Sequence, residues 1–304
     1  MRRHRKFFAA SFCLASLGIL ALVHSVSAEE KIAYVRLTND HWQIWTMNPD
    51  GNASKQITNS SQDKRGPVWI HHGNGIAYRT NNGQLFIMDL ADHQEQEILK
   101  QYNIINNPHC SNATDEIVFV RFDPRAVDIS DIWKTDLKGN DPVLLTTGDK
   151  RLKYQPVFSS RGDKVAFVKA GEDNKNHHIW IMNADGTKPQ PLTSGKGLDT
   201  LPSISPDGQW IAFSSNREDK DYEIYRINVM TKKIKRLTHQ PGLDTSPVFS
   251  SDGQRIAFVS NRSGNQQIWV MNNDGSHSIQ LTNDPEESID PSWVDITEQK
   301  GKVQ

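Results

Sequence analysis

The stretch 246–282, "SPVFSSDGQRIAFVSNRSGNQQIWVMNNDGSHSIQLT", decides the fold. It runs from a Pro-led apolar segment through an Asp-Gly turn to an "IAF" strand. An apolar–aromatic pair follows, then a second Asp-Gly turn and a short segment ending in Thr282. Asp-Gly between two β-rich runs is a strong hairpin signal, because Gly takes the positive φ that the turn requires. One such unit is four short strands long.

Upstream the same features return in the same order. The Pro-led segment recurs at Pro67, Pro108, Pro156, Pro202, Pro247 and Pro291, with spacings of 41, 48, 46, 45 and 44 residues. Each Pro is expected to open a strand, where its missing N–H costs no ladder bond. The second feature recurs as "IAYV" at Ile32, "IAYR" at Ile76, "IVFV" at Ile117, "VAFV" at Val165, "IAFS" at Ile211 and "IAFV" at Ile256. The aromatic partners are Trp45, Phe86, Trp133, Trp180, Tyr225 and Trp269, each followed three residues later by Asn or Asp. These residues bond their own backbone in turns and tolerate left-handed geometry. Thr58, Thr146, Thr193, Thr238 and Thr282 end the fourth segment, and the second copy departs with "EILK".

Units of about 45 residues with four strands each describe a β-propeller blade. A stacked solenoid is the rival, but it would not need two hairpin turns per repeat. The ends fit a ring. "KIAYVR" begins at a second strand, and "PSWVDI" ends as a first strand without the other three. The fold expected is all-β: a six-bladed propeller of four-stranded antiparallel blades, closed by the C-terminal strand pairing into the N-terminal blade. Closure removes the open edges that invite aggregation.

Residues 1–28 read as a signal peptide of the Sec type. Arg2, Arg3, Arg5 and Lys6 precede an apolar run from about Ala9 to Val23, and small residues lead to Ala28. An uncleaved anchor is the alternative, although the run is short of the roughly 20 residues a spanning helix wants. Cleavage would leave 29–296 as the propeller and 297–304 as a polar tail. It would move formal charge from −1 to −5, since all 36 acidic residues and 31 of 35 basic ones remain. That balance argues against a nucleic-acid partner, which calls for a basic patch. Cys13 would leave with the signal, so Cys110 could form no intramolecular disulfide. Cys110 holds the position occupied elsewhere by Trp69, Phe158, Ile204, Phe249 and Trp293, which marks it as a core thiol.

"SPDGQWIAFSSNREDKDYEIYRIN" and "SSDGQRIAFVSNRSGNQQIWVMNNDG" resemble the TolB-type propeller repeat of bacterial envelope proteins, and the resemblance covers 31–296. It implies six blades, a periplasmic location and a surface for another envelope protein such as a peptidoglycan-associated lipoprotein. The family's namesake also carries an N-terminal α/β domain, for which this chain, with Glu29 two residues from its first blade, is expected to have no room. Similar repeats occur beside prolyl-oligopeptidase-like hydrolases and in oligogalacturonate lyases. The expected product is therefore a monomeric, non-catalytic interaction module without cofactor or membrane insertion. A metal-dependent polysaccharide lyase or hydrolase is the alternative, and a small-ligand sensor or scaffold is a third reading.

Loop lengths choose the face. Between second and third strands the interval from Ala or Val to the aromatic is 12, 9, 15, 14, 13 and 12 residues, and varied loops mark a binding side. The same side collects Arg36, Arg79, Arg121, Lys169, Arg217 and Arg262 after the second strands. Asp199, Asp244 and Asp290 precede three of the prolines, and Trp42 and the 121–131 loop add interface-type residues. These charges either brace the blades or form a rim that receives a partner. His41, His177, His178 and His239 belong to the same side but share no repeat position, so no metal site is expected from them. "SGKGLD" lacks the Gly and Ser/Thr of a phosphate-binding loop, and no G-x-S-x-G is present.

Overall fold

A computed structural model describes residues 29–296 apart from 103, 124, 125, 173 and 219. The expected signal (1–28) and tail (297–304) lie outside the described residues. Six separate four-stranded antiparallel sheets form the blades. Blades two to six run in chain order from an innermost strand at the channel to a short outermost one. Blade five, for example, consists of Asp199–Ile204, Trp210–Ser215, Glu223–Asn228 and Ile234–Arg236.

Blade one is built from both ends of the chain. Ser288–Ile296 is its innermost strand and pairs antiparallel with Glu29–Thr38, with Glu29 opposite Ile296 and Arg36 opposite Ser288. His41–Met47 and Lys55–Gln56 complete it. An ion pair from Arg255 to Glu30 at 2.5 Å fastens blade six to this junction.

The "IAF" strand explains the packing. Alternate side chains of a strand point to opposite faces, and here both faces meet a neighbouring blade. Ile211 and Phe213 pack back onto blade four, where Ala166, Val168 and Ile179 meet them. Ala212 faces forward to Ile256 and Phe258 of blade six. Ala257 and Val259 then meet Ile32 and Tyr34 of blade one, so the chain of contacts closes on itself. Large residues pointing backward over a small one pointing forward make each blade a wedge. The second strand is accordingly apolar at consecutive positions, as a strand covered on both faces must be.

The prolines do not open strands. Each sits mid-strand, directly after a residue with left-handed φ: Gly66 (55°), Asn107 (46°), Gln155 (51°), Leu201 (53°), Ser246 (55°) and Asp290 (54°). At each of these sites the pairing with the second strand slips by one residue. A bulge on a strand whose free side faces the channel accepts Pro for the same reason a strand start does: no ladder N–H is lost. Short bonds then stitch one innermost strand to the next, including Leu201 N to Gln155 Oε1 (2.7 Å) and Phe249 N to Ser203 Oγ (3.2 Å).

The Thr feature also has one job. The backbone N–H of Ile44, Ile132, Ile179, Ile224 and Ile268 donates to the hydroxyl of the Thr fourteen residues on, at 2.9–3.1 Å. Leu99 holds that place in blade two, buried and with φ of 57°. Gly186 and Gly275 occupy third-to-fourth turns at φ of 84° and 93°. A Cβ there would come within 2.5 Å and 2.6 Å of the carbonyls of Leu145 and Leu237 on the preceding blade.

Candidate functional site

The end of the ring that carries the second-to-third loops and the blade-to-blade connections is organised by a repeated contact. A cation after the second strand sits over the aromatic of its own third strand. Arg36 lies 4.2 Å from the Trp45 ring, Arg121 5.0 Å from Trp133 and Lys169 4.2 Å from Trp180. Arg217 lies 5.5 Å from Tyr225 and Arg262 4.9 Å from Trp269. The ring quadrupole attracts each charge and its face shields the alkyl stem.

Four of these cations also meet an acid. Arg217 pairs with Asp199 at 2.7 Å and Arg262 with Asp244 at 2.5 Å, both acids being 1% exposed. Arg36 pairs with Asp284 and Lys169 with Asp149, each at 2.5 Å. Arg151 and then Lys169 hold the Asp149 carboxyl well below the usual carboxylate range. Asp149 and Asp284 lie in connections between blades, and spacing from the prolines did not single them out. The signal was present nonetheless, as an Asp a few residues beyond each Thr.

Arg79 departs from the pattern. It follows the third residue of its "IAY" motif by one place, where Arg36, Arg121 and Lys169 follow theirs by two and Arg217 and Arg262 by four. Strand alternation therefore turns it to the opposite side, with Ala77, and it lines the central cavity. That cavity measures about 550 Å³ and runs between the bulges, past Pro67, Pro108, Pro156, Pro202, Pro247 and Pro291. Asp290 belongs to its wall. It accepts a bond from Gly66 N at 3.2 Å, and so does not share the place of Asp199 and Asp244.

Trp42 and Trp45 fall on opposite faces of their strand. Trp45 lies under Arg36, while Trp42 packs toward blade two beneath Arg65, whose guanidinium is 3.9 Å from the ring. The Trp42 backbone N–H donates to the Asp63 carboxylate at 3.1 Å. Burial pulls the Arg65 pKa down against the pull of Asp290 and Asp63.

The histidines divide. His178 Nδ1 is 3.6 Å from Asp199, and His177 Nδ1 is bonded to the Tyr154 hydroxyl, whose pKa burial raises. His41 lies 3.4 Å from Asp63. Among the described residues no three His, Cys, Asp or Glu side chains converge as a metal site. His71 and His72 form a short turn on the other face. Cys110 is buried between blades two and three, and burial pushes its thiol up.

The family described as TolB beta propeller domain matches residues 84–221 and 217–299, more than half of the chain. A "Tol-Pal system protein TolB" of Desulfosudis oleivorans is 36% identical over 62 residues, which are 20% of this chain and 13% of that protein. Among solved structures, TolB from Acinetobacter baumannii superposes with a TM-score of 0.76 at 20% identity, covering 87% of this chain and 66% of that one. An oligogalacturonate lyase in complex with manganese gives 0.59 at 16% identity, covering 82% of this chain and 73% of that one. The two superpositions establish a shared fold. The match spans about an eighth of the TolB relative's length.

Proposed function

The chain belongs to the TolB β-propeller family, and from that premise we propose that it is an exported, periplasmic interaction module binding another envelope protein. The partner it fits is of the peptidoglycan-associated lipoprotein kind. The observation that carries the reading is the channel-mouth face, where Arg and Lys are stacked on aromatics around one opening. Pre-stacked guanidiniums and buried aromatics are the side chains that dominate protein–protein binding energy. Arg36, Trp42, Arg79, Arg121, Lys169, Asp199, Arg217, Asp244, Arg262 and Asp290 are its proposed contributors, those already paired shaping the face and those unpaired meeting the partner.

Photo-crosslinking in the native envelope tests the reading. A crosslinker at Asp40, exposed in a second-to-third loop, should capture one defined protein. A crosslinker at Met230, 85% exposed in a third-to-fourth turn, should not. Capture from Met230 alone, or from neither position, would overturn it.

A second reading, a metal-dependent polysaccharide lyase, draws on His177 and His178 beside Tyr154 and Asp199. Its mark would be stoichiometric manganese or zinc in purified protein, lost in His177→Ala and His178→Ala.

A further inference from the structure

The ring of cations is self-satisfied in four blades and open in two neighbouring ones. Among the described residues neither the Arg79 nor the Arg121 side chain has an ion pair or a hydrogen bond. Arg121 is held instead between Tyr102 (3.8 Å) and Trp133 (5.0 Å), and its Nε is shut off from solvent with no acceptor. A guanidinium fixed in place with unmade bonds is costly to leave so.

Both side chains point into the same seam. Arg121 lies on the side of Ile117 and Phe119, which pack back onto blade two. Arg79 lies on the side of Ala77, which packs forward onto blade three. Arg65 stands directly opposite Arg79 in the pairing of the first two strands, a like-charge pair of the kind that destabilises a sheet. The nearby acids are occupied. Asp131, cross-strand from Arg121, bonds Lys153 and Thr146. Asp63 bonds Trp42 N, and Asp290 bonds Gly66 N.

The sequence of the connections gives a second, independent sign. Five of the six carry an Asp or lead directly into one at the start of the next strand: Asp63, Asp149, Asp199, Asp244 and Asp284. The connection 99–104 between blades two and three, "LKQYNI", carries no acid. In four blades the chain itself shows what the cation at the position of Arg121 accepts: the carboxylate of an Asp from the connection or the strand start that follows it.

We infer that the seam between blades two and three is a carboxylate site, in which Arg79 and Arg121 receive an Asp or Glu side chain from a partner polypeptide. The inference rests on the interaction-module reading and names the chemistry of its contact. Guanidinium and carboxylate make two parallel charge-assisted bonds, and the channel-side position of Arg79 leaves the acid an open approach. The neighbouring cavity of about 550 Å³ gives room for the segment that carries it.

The probe is an acetylated hexaglutamate peptide amide, with hexaglutamine, trigalacturonate and inorganic phosphate as comparison ligands, titrated calorimetrically at low salt. Hexaglutamate should bind, hexaglutamine should not, and binding should weaken as salt rises. Arg79→Gln and Arg121→Gln should each weaken it at least tenfold, while Arg121→Lys, which keeps charge and stacking, should weaken it less. Gln101→Asp should also weaken it at least tenfold, by giving the seam an acid of its own as in the other blades. Circular dichroism of Gln101→Asp and Arg79→Gln should match the parent.

Hexaglutamate binding that ignores Arg79→Gln and Gln101→Asp overturns the site. Tighter, Arg79-dependent binding of trigalacturonate or phosphate overturns the peptide assignment. A partner captured through Asp40 with hexaglutamate binding indifferent to both arginines sinks this inference and leaves the interaction reading standing. Arg79-dependent peptide binding without any Asp40 crosslink does the reverse.

Discussion

In blades five and six the guanidiniums of Arg217 and Arg262 end on Asp199 and Asp244, acids sealed at 1% exposure. In blades two and three, among the described residues, the side chains of Arg79 and Arg121 reach no carboxylate, and Arg121 rests only on the Tyr102 and Trp133 rings. The repeat is the same in both regions, down to the aromatic under Arg121 and the "IAY" before Arg79. For Arg121 the difference is one carboxylate missing from the connection 99–104; for Arg79, whose connection does carry Asp63, it is the one-residue offset that turns it to the other side of its strand. A buried pair whose partner is supplied internally fastens a blade, whereas the same cation without its acid is a surface with a vacancy of defined charge. Repetition therefore does not imply equivalence, since one omitted Asp and one residue of offset separate scaffold from proposed receptor.

The largest effect comes from abolishing both regions together. Removing 288–304 deprives blade one of its innermost strand, and the cooperative urea transition followed by circular dichroism should be lost. Next, Asp199→Ala should cost about 3–5 kcal/mol in urea unfolding, because it strands Arg217 and removes the acceptor of Ser215. If Asp199→Ala cost no more than Arg79→Gln, the contrast between the two regions would collapse.

His109, on the channel wall of blade three, gives a pH test. Burial pushes its imidazole down to about 4, and Nδ1 accepts a bond from Phe158 N at 3.2 Å. Because the unfolded chain takes up this proton near pH 6.5 and the folded one only near 4, stability is complete above pH 6.5. It falls as pH drops toward 4, by at most about 3 kcal/mol. Chemical unfolding at stepped pH should show that slope flattened in His109→Gln. Thr238→Val should cost about 1–2 kcal/mol, since it leaves Ile224 N without its acceptor and takes a donor from the buried Glu223. The smallest change is Arg79→Gln, expected within about 0.5 kcal/mol of the parent because no internal partner is lost.

The repeat, the blade number and the pairing of the two ends were legible from residues such as Ile256, Trp269 and Pro291, because strand alternation and Asp-Gly turns are local signals. The place of each Pro was not. A strand start and a mid-strand bulge look alike until the neighbouring strand fixes the register, as at Pro202, where pairing slips between Thr200 and Ser203. The cations of the candidate face were legible by position, and Arg217 and Arg262 do stand beside Asp199 and Asp244. Asp290 was grouped with those acids because it too precedes a Pro, yet it lies directly at the bulge while they lie two residues before it. The acids Asp149 and Asp284 were missed because their contacts depend on how far a loop reaches. The isolation of Arg79 was missed because one residue of offset, invisible in a count of charges, reverses the side a strand presents.

The sharing of one sheet by Glu29–Thr38 and Ser288–Ile296 has a consequence for quality control. A copy truncated at any point before Ser288 lacks the strand that pairs with Glu29–Thr38, and leaves that strand's backbone edge open to proteolysis. A copy that includes Ser288–Ile296 covers the same backbone. The clasp can thus be fastened only after Ser288–Ile296 has been made, so blade one is the last of the six to be completed.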